Sequence, residues 1–330
     1  MKENLIGKTN LTLRLSDAVE RKTGKDFLPA SLSRQAGGMS SSSEATLLAL
    51  MPTWLALAWL VSQARWVWGH RPEMQFGWLV LVLAGYLAWE NWEKRPPILG
   101  RMNLSVMVGF ILGVGLVFIV QIYQAFFGMN SASLLGHYLG TGLVVYANLM
   151  FVFGLKGIMV FGFAYIFFGL AMPMPSVVQG PMISSLQSLV ASINVEILTV
   201  IGVPASKVGS LIQLPIGTVG VNEACSGARS LQATIMAALF VGYTMMTGWG
   251  ARFGLLVVGV LMAIVGNVGR SLYLSLLANS KGIAAVETAH DSAGWTVLLF
   301  TAGSVALVAW LLGKIEKFLA RSPQSNAEVV

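Results

Sequence analysis

Cysteine, histidine and charged residues are scarce in this chain. Its 330 residues include 1 Cys, 3 His and only 11% Asp, Glu, Lys and Arg. One cysteine excludes an internal disulfide and a multi-thiolate metal site. A soluble domain carries roughly 25% charged residues. The much lower share in this chain indicates a surface covered by lipid rather than water. The net charge of +7 does not indicate nucleic-acid binding, because seven Lys and Arg lie in the first 34 residues, as in a cytoplasmic tail beside anionic lipid.

Long apolar runs fill most of the remaining chain, of which 55% is hydrophobic. A membrane-spanning helix needs about 20 mainly apolar residues. The sequence therefore predicts an all-α, polytopic membrane helical bundle of about eight transmembrane helices. We place them at roughly 46–63, 76–92, 102–127, 138–155, 157–173, 228–247, 252–277 and 294–313. Only residues 154–157 separate the fourth span from the fifth, and we interpret them as a tight hairpin because a single helix there would be too long for the bilayer.

Eight spans place both termini in the cytoplasm and divide the chain into three parts. Residues 1–45 are predicted to be a mostly disordered basic tail, 46–313 the transmembrane domain and 314–330 a cytoplasmic C-terminal tail. Short cytoplasmic loops are rich in Lys and Arg. The predicted inner segments carry Lys94, Arg95, Arg101, Lys156, Arg252, Lys314, Lys317 and Arg321. The predicted outer segment 174–227 carries only Lys207, although Arg65 and Arg71 run against the rule.

The outer segment 174–227 contains two predicted features. Apolar residues from Met182 to Ile201 recur at helical spacing, and Asn194 and Glu196 are among the polar residues on the other face. This pattern predicts an amphipathic helix that lies along the membrane interface or caps the bundle. Glycines and a proline within 208–221 then predict a short irregular hairpin that leads to the cysteine.

Cys225 lies at the predicted outer start of the sixth span, beside polar residues. Only a thiolate is a nucleophile, and the N-terminal end of a helix favours that anion. A small buried apolar residue is the alternative interpretation of this thiol. The neighbouring Asn222, Glu223, Ser226 and Arg229 weigh against it.

Arg270 and His290 lie near the predicted outer ends of the last two spans. Arg270 follows Arg252 by 18 residues, or roughly 27 Å of helix, and Asn267 lies one turn earlier on the same face. Arg270 is thus a candidate to bind a carboxylate or an oxyanion, and a snorkelling arginine is the alternative. His290 is predicted to lie in the outer loop, as a general base or as an ordinary solvated histidine. His70 and His137 are predicted near the same face, so sidedness alone does not choose the base.

Three short blocks thus lie in order at predicted membrane edges: Glu223-Ala-Cys225-Ser-Gly227-Ala-Arg229-Ser-Leu231, Asn267-Val-Gly-Arg270 and His290-Asp-Ser-Ala-Gly294. Together they resemble the exosortase/archaeosortase family of multi-pass membrane enzymes, which resemble sortases in chemistry but not in fold. The resemblance covers roughly residues 95–313 and is strongest over 203–295. It implies a catalytic set of Cys225, Arg270 and His290. Glu223, Ser226, Arg229 and Asn267 are candidates to support that set, and no metal or cofactor is expected.

The resemblance also implies that the protein is an inner-membrane cysteine protease/transpeptidase, with its active site facing the outside or periplasm. Its substrates are secreted proteins with a C-terminal sorting signal: a short motif, often Pro-Glu-Pro-like, then a hydrophobic helix and a basic tail. The acyl group passes to water or to an amine or hydroxyl of a lipid or glycan acceptor.

Two other functions remain open at this point. A small-solute transporter would have polar residues deep in several spans. A membrane component of exopolysaccharide assembly or export would carry aromatic residues along an aqueous groove. The tryptophans, such as Trp66 and Trp68, instead cluster at predicted span ends, as interfacial aromatic residues do.

The predicted sidedness can be tested through the single thiol. A membrane-impermeant maleimide should label Cys225 in intact spheroplasts, because this residue is predicted to face outside. Labelling only after disruption of the membrane would contradict both the topology and the mechanism. A control cysteine in the 128–137 loop, introduced into a Cys225→Ala background, separates a buried thiol from one on the inner side.

Overall fold

The computed structural model describes residues 43–220 and 228–325. The chain divides into two units, Met1–Met51 and Pro52–Val330. Of the first unit the structure describes only residues 43–51, which contain helix α1, Ser43–Ala49. The predicted basic tail therefore lies almost wholly outside the described residues.

Nine further helices and a small sheet follow in the described part of the chain. They are α2 (Met51–His70), α3 (Gly77–Glu90), α4 (Leu104–Phe127), α5 (Ser131–Phe153), α6 (Leu155–Phe168), α7 (Ser176–Val200), β1 (Ser206–Val208), β2 (Leu211–Leu214), β3 (Gly217–Gly220), α8 (Ala228–Met245), α9 (Trp249–Lys281) and α10 (Ile283–Ser325). Each of the eight predicted spans coincides with a helix or a helix pair, and the all-α membrane bundle is confirmed.

The helices differ in their ability to cross a membrane. Five described helices are long and apolar enough to do so: α4, α5, α7, α9 and α10. The pair α1 and α2 makes a sixth if it forms one broken span, while α3, α6 and the apolar part of α8 are shorter. The number of eight spans therefore stays a prediction. Helix α7 belongs to the five by length and composition, although its sequence pattern predicted an interfacial helix.

Local sequence determines where α4, α5 and α6 begin and end. The side chain of Asn103 caps α4 by accepting a hydrogen bond from the Val106 amide at 2.9 Å. Asn130 and Ser133 form a reciprocal capping box at the start of α5. Gly154 has φ +70° and separates α5 from α6, where the hairpin was predicted, because a left-handed residue cannot continue the helix.

Glycines let α4 and α5 approach closely. Gly113 faces Gly140, and a Cβ on Gly113 would lie 2.9 Å from the Gly140 carbonyl oxygen. Gly109 and Gly136 make similar contacts one turn away, against Ala147 and Val120. Both helices thus carry a Gly-x-x-x-Gly pattern at the contact, the spacing by which membrane helices pack without large side chains.

The first helices join the last three through α8. Tyr243 of α8 stacks on Phe163 with ring centroids 4.2 Å apart, and its hydroxyl accepts a hydrogen bond from Asn91 at 2.9 Å. Trp68, assigned from sequence to an interfacial belt, is instead fully buried. Its indole N–H donates to the carbonyl of Ala171 at 2.9 Å, so this part of the interpretation was wrong.

The sheet packs against α7, α9 and α10. Its strands are antiparallel in the order β1-β2-β3, so the predicted irregular hairpin is a three-stranded meander. One apolar cluster joins the sheet to the three helices; it contains Val190, Ala191, Leu198, Ile212, Leu214, Val219, Leu274, Ala278 and Ala293.

The α4–α5 contact yields a stability prediction. Gly113→Ala should lower the free energy of unfolding by about 1–3 kcal/mol, because its Cβ would collide with the α5 backbone. Gly115→Ala is the matched control, since a Cβ there meets no atom within 4 Å and alanine favours the helix. Thermal unfolding in detergent measures both. Equal melting temperatures for the two variants would show that the close approach is not needed.

Candidate active site

Arg270 of α9 and His290 of α10 meet across the turn between their helices. The turn consists of Gly282, whose φ of +86° ends α9 and lets α10 begin at once. The Arg270 Nη2 donates to the His290 carbonyl oxygen at 3.1 Å and lies 3.4 Å from the His290 Nε2. The two residues predicted from separate sequence blocks are thus brought together by the helical hairpin.

His290 lies on a helix and not in a loop, contrary to the sequence interpretation. Helix α10 begins at Ile283, so His290 is about two turns inside it. Its side chain is 29% exposed, and Nδ1 lies 3.5 Å from the carboxylate of the exposed Asp291. A guanidinium only donates hydrogen bonds, so a hydrogen bond from Arg270 to this ring uses Nε2 as the acceptor, in the tautomer that carries its proton on Nδ1.

Gly294 makes room for the arginine. It follows His290 by one helical turn, and a Cβ at this position would lie 3.3 Å from the Arg270 Nη2. A side chain here would push against the guanidinium. The spacing between His290 and Gly294 in the third sequence block therefore has a steric explanation.

Asn267 extends the polar face of α9 towards the interior. It lies one turn before Arg270 and is buried, and its Nδ2 has no hydrogen-bond partner among the described residues. Ser271 and Ser275 continue the same buried face at intervals of four residues. Asn267, Ser271 and Ser275 thus form a line of buried polar residues that begins one turn from Arg270.

A groove opens between α9 and α10 beside the arginine. Its volume is about 500 Å³, and Arg270 is the charged residue among those that line it. The lining residues are Val265, Gly266, Gly269, Arg270, Tyr273, Ser292, Ala293, Thr296, Val297 and Phe300. An apolar groove with one cation at its wall suits an apolar ligand that carries one polar or anionic group. Sequence reasoning missed this groove because helix pairing creates it.

The other two histidines lie elsewhere. The His137 Nε2 is 2.9 Å from the Gln124 Oε1, in the α4–α5 pair. The His70 Nδ1 is 2.9 Å from the carbonyl of Trp66, on whose ring it stacks. Of the three candidates for the base, His290 is the one beside Arg270.

The remaining predicted site residues lie outside the structural description. Glu223, Cys225 and Ser226 fall in 221–227, and Arg229 is in the first turn of α8, where only the backbone is described. Within the described ranges no group of three or more His, Cys, Asp and Glu could hold a metal ion.

Comparison with known proteins places this geometry in a family. The family model described as Transmembrane exosortase (Exosortase_EpsH) matches residues 68–311. A search of curated proteins and a search of solved structures each gave no match. The matched region includes both residues of the Arg270–His290 contact and the groove beside them. The chain therefore belongs to the transmembrane exosortase family.

Proposed function

We propose that this protein is an integral membrane cysteine protease/transpeptidase that cleaves the C-terminal sorting signal of secreted proteins. The observation that carries the proposal is the Arg270–His290 contact beside an apolar groove, in a member of the exosortase family. The product is released to water or transferred to a lipid or glycan acceptor at the cell surface. The site faces the outside of the inner membrane, with both termini in the cytoplasm.

Chain geometry supports Cys225 as the nucleophile of this site. Val219 of β3 belongs to the same apolar cluster as Ala293, which is one turn from His290. Cys225 follows the end of β3 by five residues, which span at most about 17 Å when extended. The proposed mechanism requires the thiol to reach the Arg270–His290 contact, and this chain length permits it.

The reaction proceeds through a thioester. Cys225 passes its proton to the Nε2 of His290, which then no longer accepts a hydrogen bond from Arg270, and the thiolate sulfur bonds to the scissile carbonyl carbon. The carbon–nitrogen bond then breaks, and the leaving amine takes the proton from His290. Water or an acceptor amine or hydroxyl gives its proton to His290 and attacks the thioester carbon. The carbon–sulfur bond breaks, and the proton returns to the sulfur.

Arg270 stabilises the negative charge that develops on the carbonyl oxygen. A guanidinium carries five N–H donors in a fixed plane, and both contacts to His290 use Nη2. The bond to the His290 carbonyl holds this plane in place before substrate arrives, which is the condition for effective oxyanion stabilisation. The same donors suit a carboxylate in the sorting motif.

The groove fits the apolar part of such a signal. Gly269 and Tyr273 line the groove. At Gly269 an added Cβ would meet no atom within 4 Å, so there is open space above this residue. Small residues allow a helix to approach closely in a membrane. A substrate helix lying here places its preceding motif next to Arg270.

A solute transporter is the rival function, and one observation bears on it. Polar side chains do occur within spans: the Gln124 Nε2 donates to the Gln63 Oε1 at 3.1 Å, and the Gln124 Oε1 contacts His137. These contacts join α2, α4 and α5, while the buried His137 Nδ1 has no partner among the described residues. The bonded amide groups of Gln63 and Gln124 are less able to bind a passing solute.

The nucleophile assignment predicts the behaviour of two variants. Cys225→Ala should abolish processing and leave substrate binding intact, because apolar helices and not the thiol hold the substrate. Cys225→Ser should be nearly as inactive, since a hydroxyl lacks the low pKa of a thiol. The substrate mass shift on a gel, at matched expression, measures this. Retained cleavage by Cys225→Ala would exclude Cys225 as the nucleophile and with it the thioester mechanism.

The arginine assignment predicts a loss that lysine does not rescue. Arg270→Lys should lower kcat by about 10²–10³-fold, because one ammonium cannot both hold the His290 carbonyl and meet the oxyanion. Arg252→Lys is the control at the other end of α9, where the guanidinium binds the carbonyl of Met246; it should keep near-normal kcat. Comparable activity of both variants would indicate that Arg270 is only a snorkelling charge.

A further inference from the structure

Three buried side chains, one on α7 and two on α9, have polar atoms without partners among the described residues. Among the described residues, no hydrogen bond reaches the Nδ2 and Oδ1 of Asn194, the Nδ2 of Asn267 or the Oγ of Ser275. Asn194 and Ser275 are 0% exposed and Asn267 is 3% exposed. Native proteins rarely leave buried polar atoms unpaired, because the loss of water is then uncompensated. Four such atoms on α7 and α9 indicate a site where a ligand could form the missing hydrogen bonds.

These residues form a continuous feature. Asn194 shares a face of α7 with Ala191 and Leu198, which pack in one apolar cluster with Leu274 and Ala278 of α9. The sequence interpretation had placed Asn194 on the opposite, polar face of this helix, which was wrong.

On α9 the buried polar positions run along one line. Asn267, Ser271 and Ser275 recur every four residues, over about 12 Å of helix. The line begins one turn from Arg270 and ends beside Leu274, which belongs to the same apolar cluster as Ala191 and Leu198, the neighbours of Asn194 on α7. We call Asn194, Asn267, Ser271 and Ser275 the polar strip.

The chemistry of the polar strip matches an extended peptide. A carboxamide presents one acceptor and one donor group, so it can pair with the N–H and the C=O of a main chain. Both groups of Asn194 are unsatisfied. The strip is about 12 Å long, which corresponds to three or four residues of extended chain. The strip therefore offers hydrogen bonds to main-chain groups, which are the same in substrates whose side chains differ.

We propose that the polar strip binds the extended main chain of the substrate next to the scissile bond, and that Asn194 pairs with one of its peptide groups. This inference rests on the proposed function, because the peptide must approach Arg270 and His290. Asn194 acts here as a binding residue and takes no part in the chemical step.

Binding at Asn194 requires α7 to move away from α9. Asn194 is fully buried, so a peptide reaches it only when the two helices separate. Unpaired polar atoms in the interface lower the free energy of this opening, since water can satisfy them. At the surface, Lys207 donates to Ser188 and Ser192 at 2.7 and 2.8 Å, and these exposed bonds hold α7 to the sheet while it opens.

The first test compares stability with affinity. Asn194→Leu should raise the Tm, because it removes unpaired polar atoms from an apolar cluster, and should weaken substrate binding about tenfold. Asn194→Ala is the second variant, for the case in which leucine packs poorly at this position. It should weaken substrate binding by the same factor. Asn148→Leu is the control: the Asn148 Nδ2 donates to the Thr53 Oγ1 at 3.0 Å, so this variant should lower the Tm and leave affinity unchanged.

Binding is measured in Cys225→Ala protein in nanodiscs, so that cleavage does not enter. The probe is a labelled peptide with a Pro-Glu-Pro motif, about 20 apolar residues and a Lys-Arg tail. A second probe replaces one main-chain amide near the motif by an ester. The ester should weaken binding to protein with Asn194 but not to Asn194→Leu, because only the former loses a main-chain hydrogen bond.

The outcomes separate this inference from the proposed function. Unchanged affinity of both Asn194 variants, or equal ester effects with and without Asn194, overturns the binding role. A lower Tm with normal affinity assigns Asn194 a purely structural role and also overturns it. If the wild type cleaves the substrate and the Asn194 variants bind it equally well, the protease function is supported and the binding role of Asn194 is excluded. Asn194-dependent binding without cleavage leaves a peptide-binding membrane protein, and no binding of either probe contradicts both.

Discussion

The shortage of water at its surface constrains this protein more than any other factor. Lipid offers no hydrogen bonds, so each main-chain N–H and C=O in a span must find its partner within the protein. Helices do this locally, which is why most described residues are helical, while large apolar side chains such as Phe118 and Ile111 stay exposed on α4. Helix packing then relies on close approach, and Gly113 and Gly140 allow it.

The same constraint explains why Arg270 and His290 are together. A cation within an apolar bundle is costly unless protein groups solvate it. The single-residue turn at Gly282 folds α10 back along α9, so that the carbonyl and ring of His290 meet the guanidinium. Gly294 leaves the space that this contact occupies. A contact that stabilises the charge thus also brings the proposed base and the proposed oxyanion donor together beside one groove.

Three asparagines show how a buried amide can serve different ends. Asn148 donates to Thr53 and joins α5 to α2. Asn91 donates to Tyr243 and joins the first helices to α8. Asn194 is equally buried, but its amide atoms have no partner among the described residues. The satisfied amides join helices, whereas the unsatisfied amide of Asn194 is the basis of the proposed peptide binding.

Composition and long apolar runs determined that this chain is a helical membrane bundle, because runs of about 20 apolar residues can be recognised locally. Short motifs likewise singled out Arg270 and His290, although predicted sidedness alone could not choose among three histidines. Only the tertiary structure shows that His290 is the histidine beside Arg270, whereas His137 lies beside Gln124. It also turned Asn194 inwards and formed the groove. These features depend on which helix faces are neighbours, and neighbours distant in sequence follow from packing of the whole bundle rather than from any local pattern.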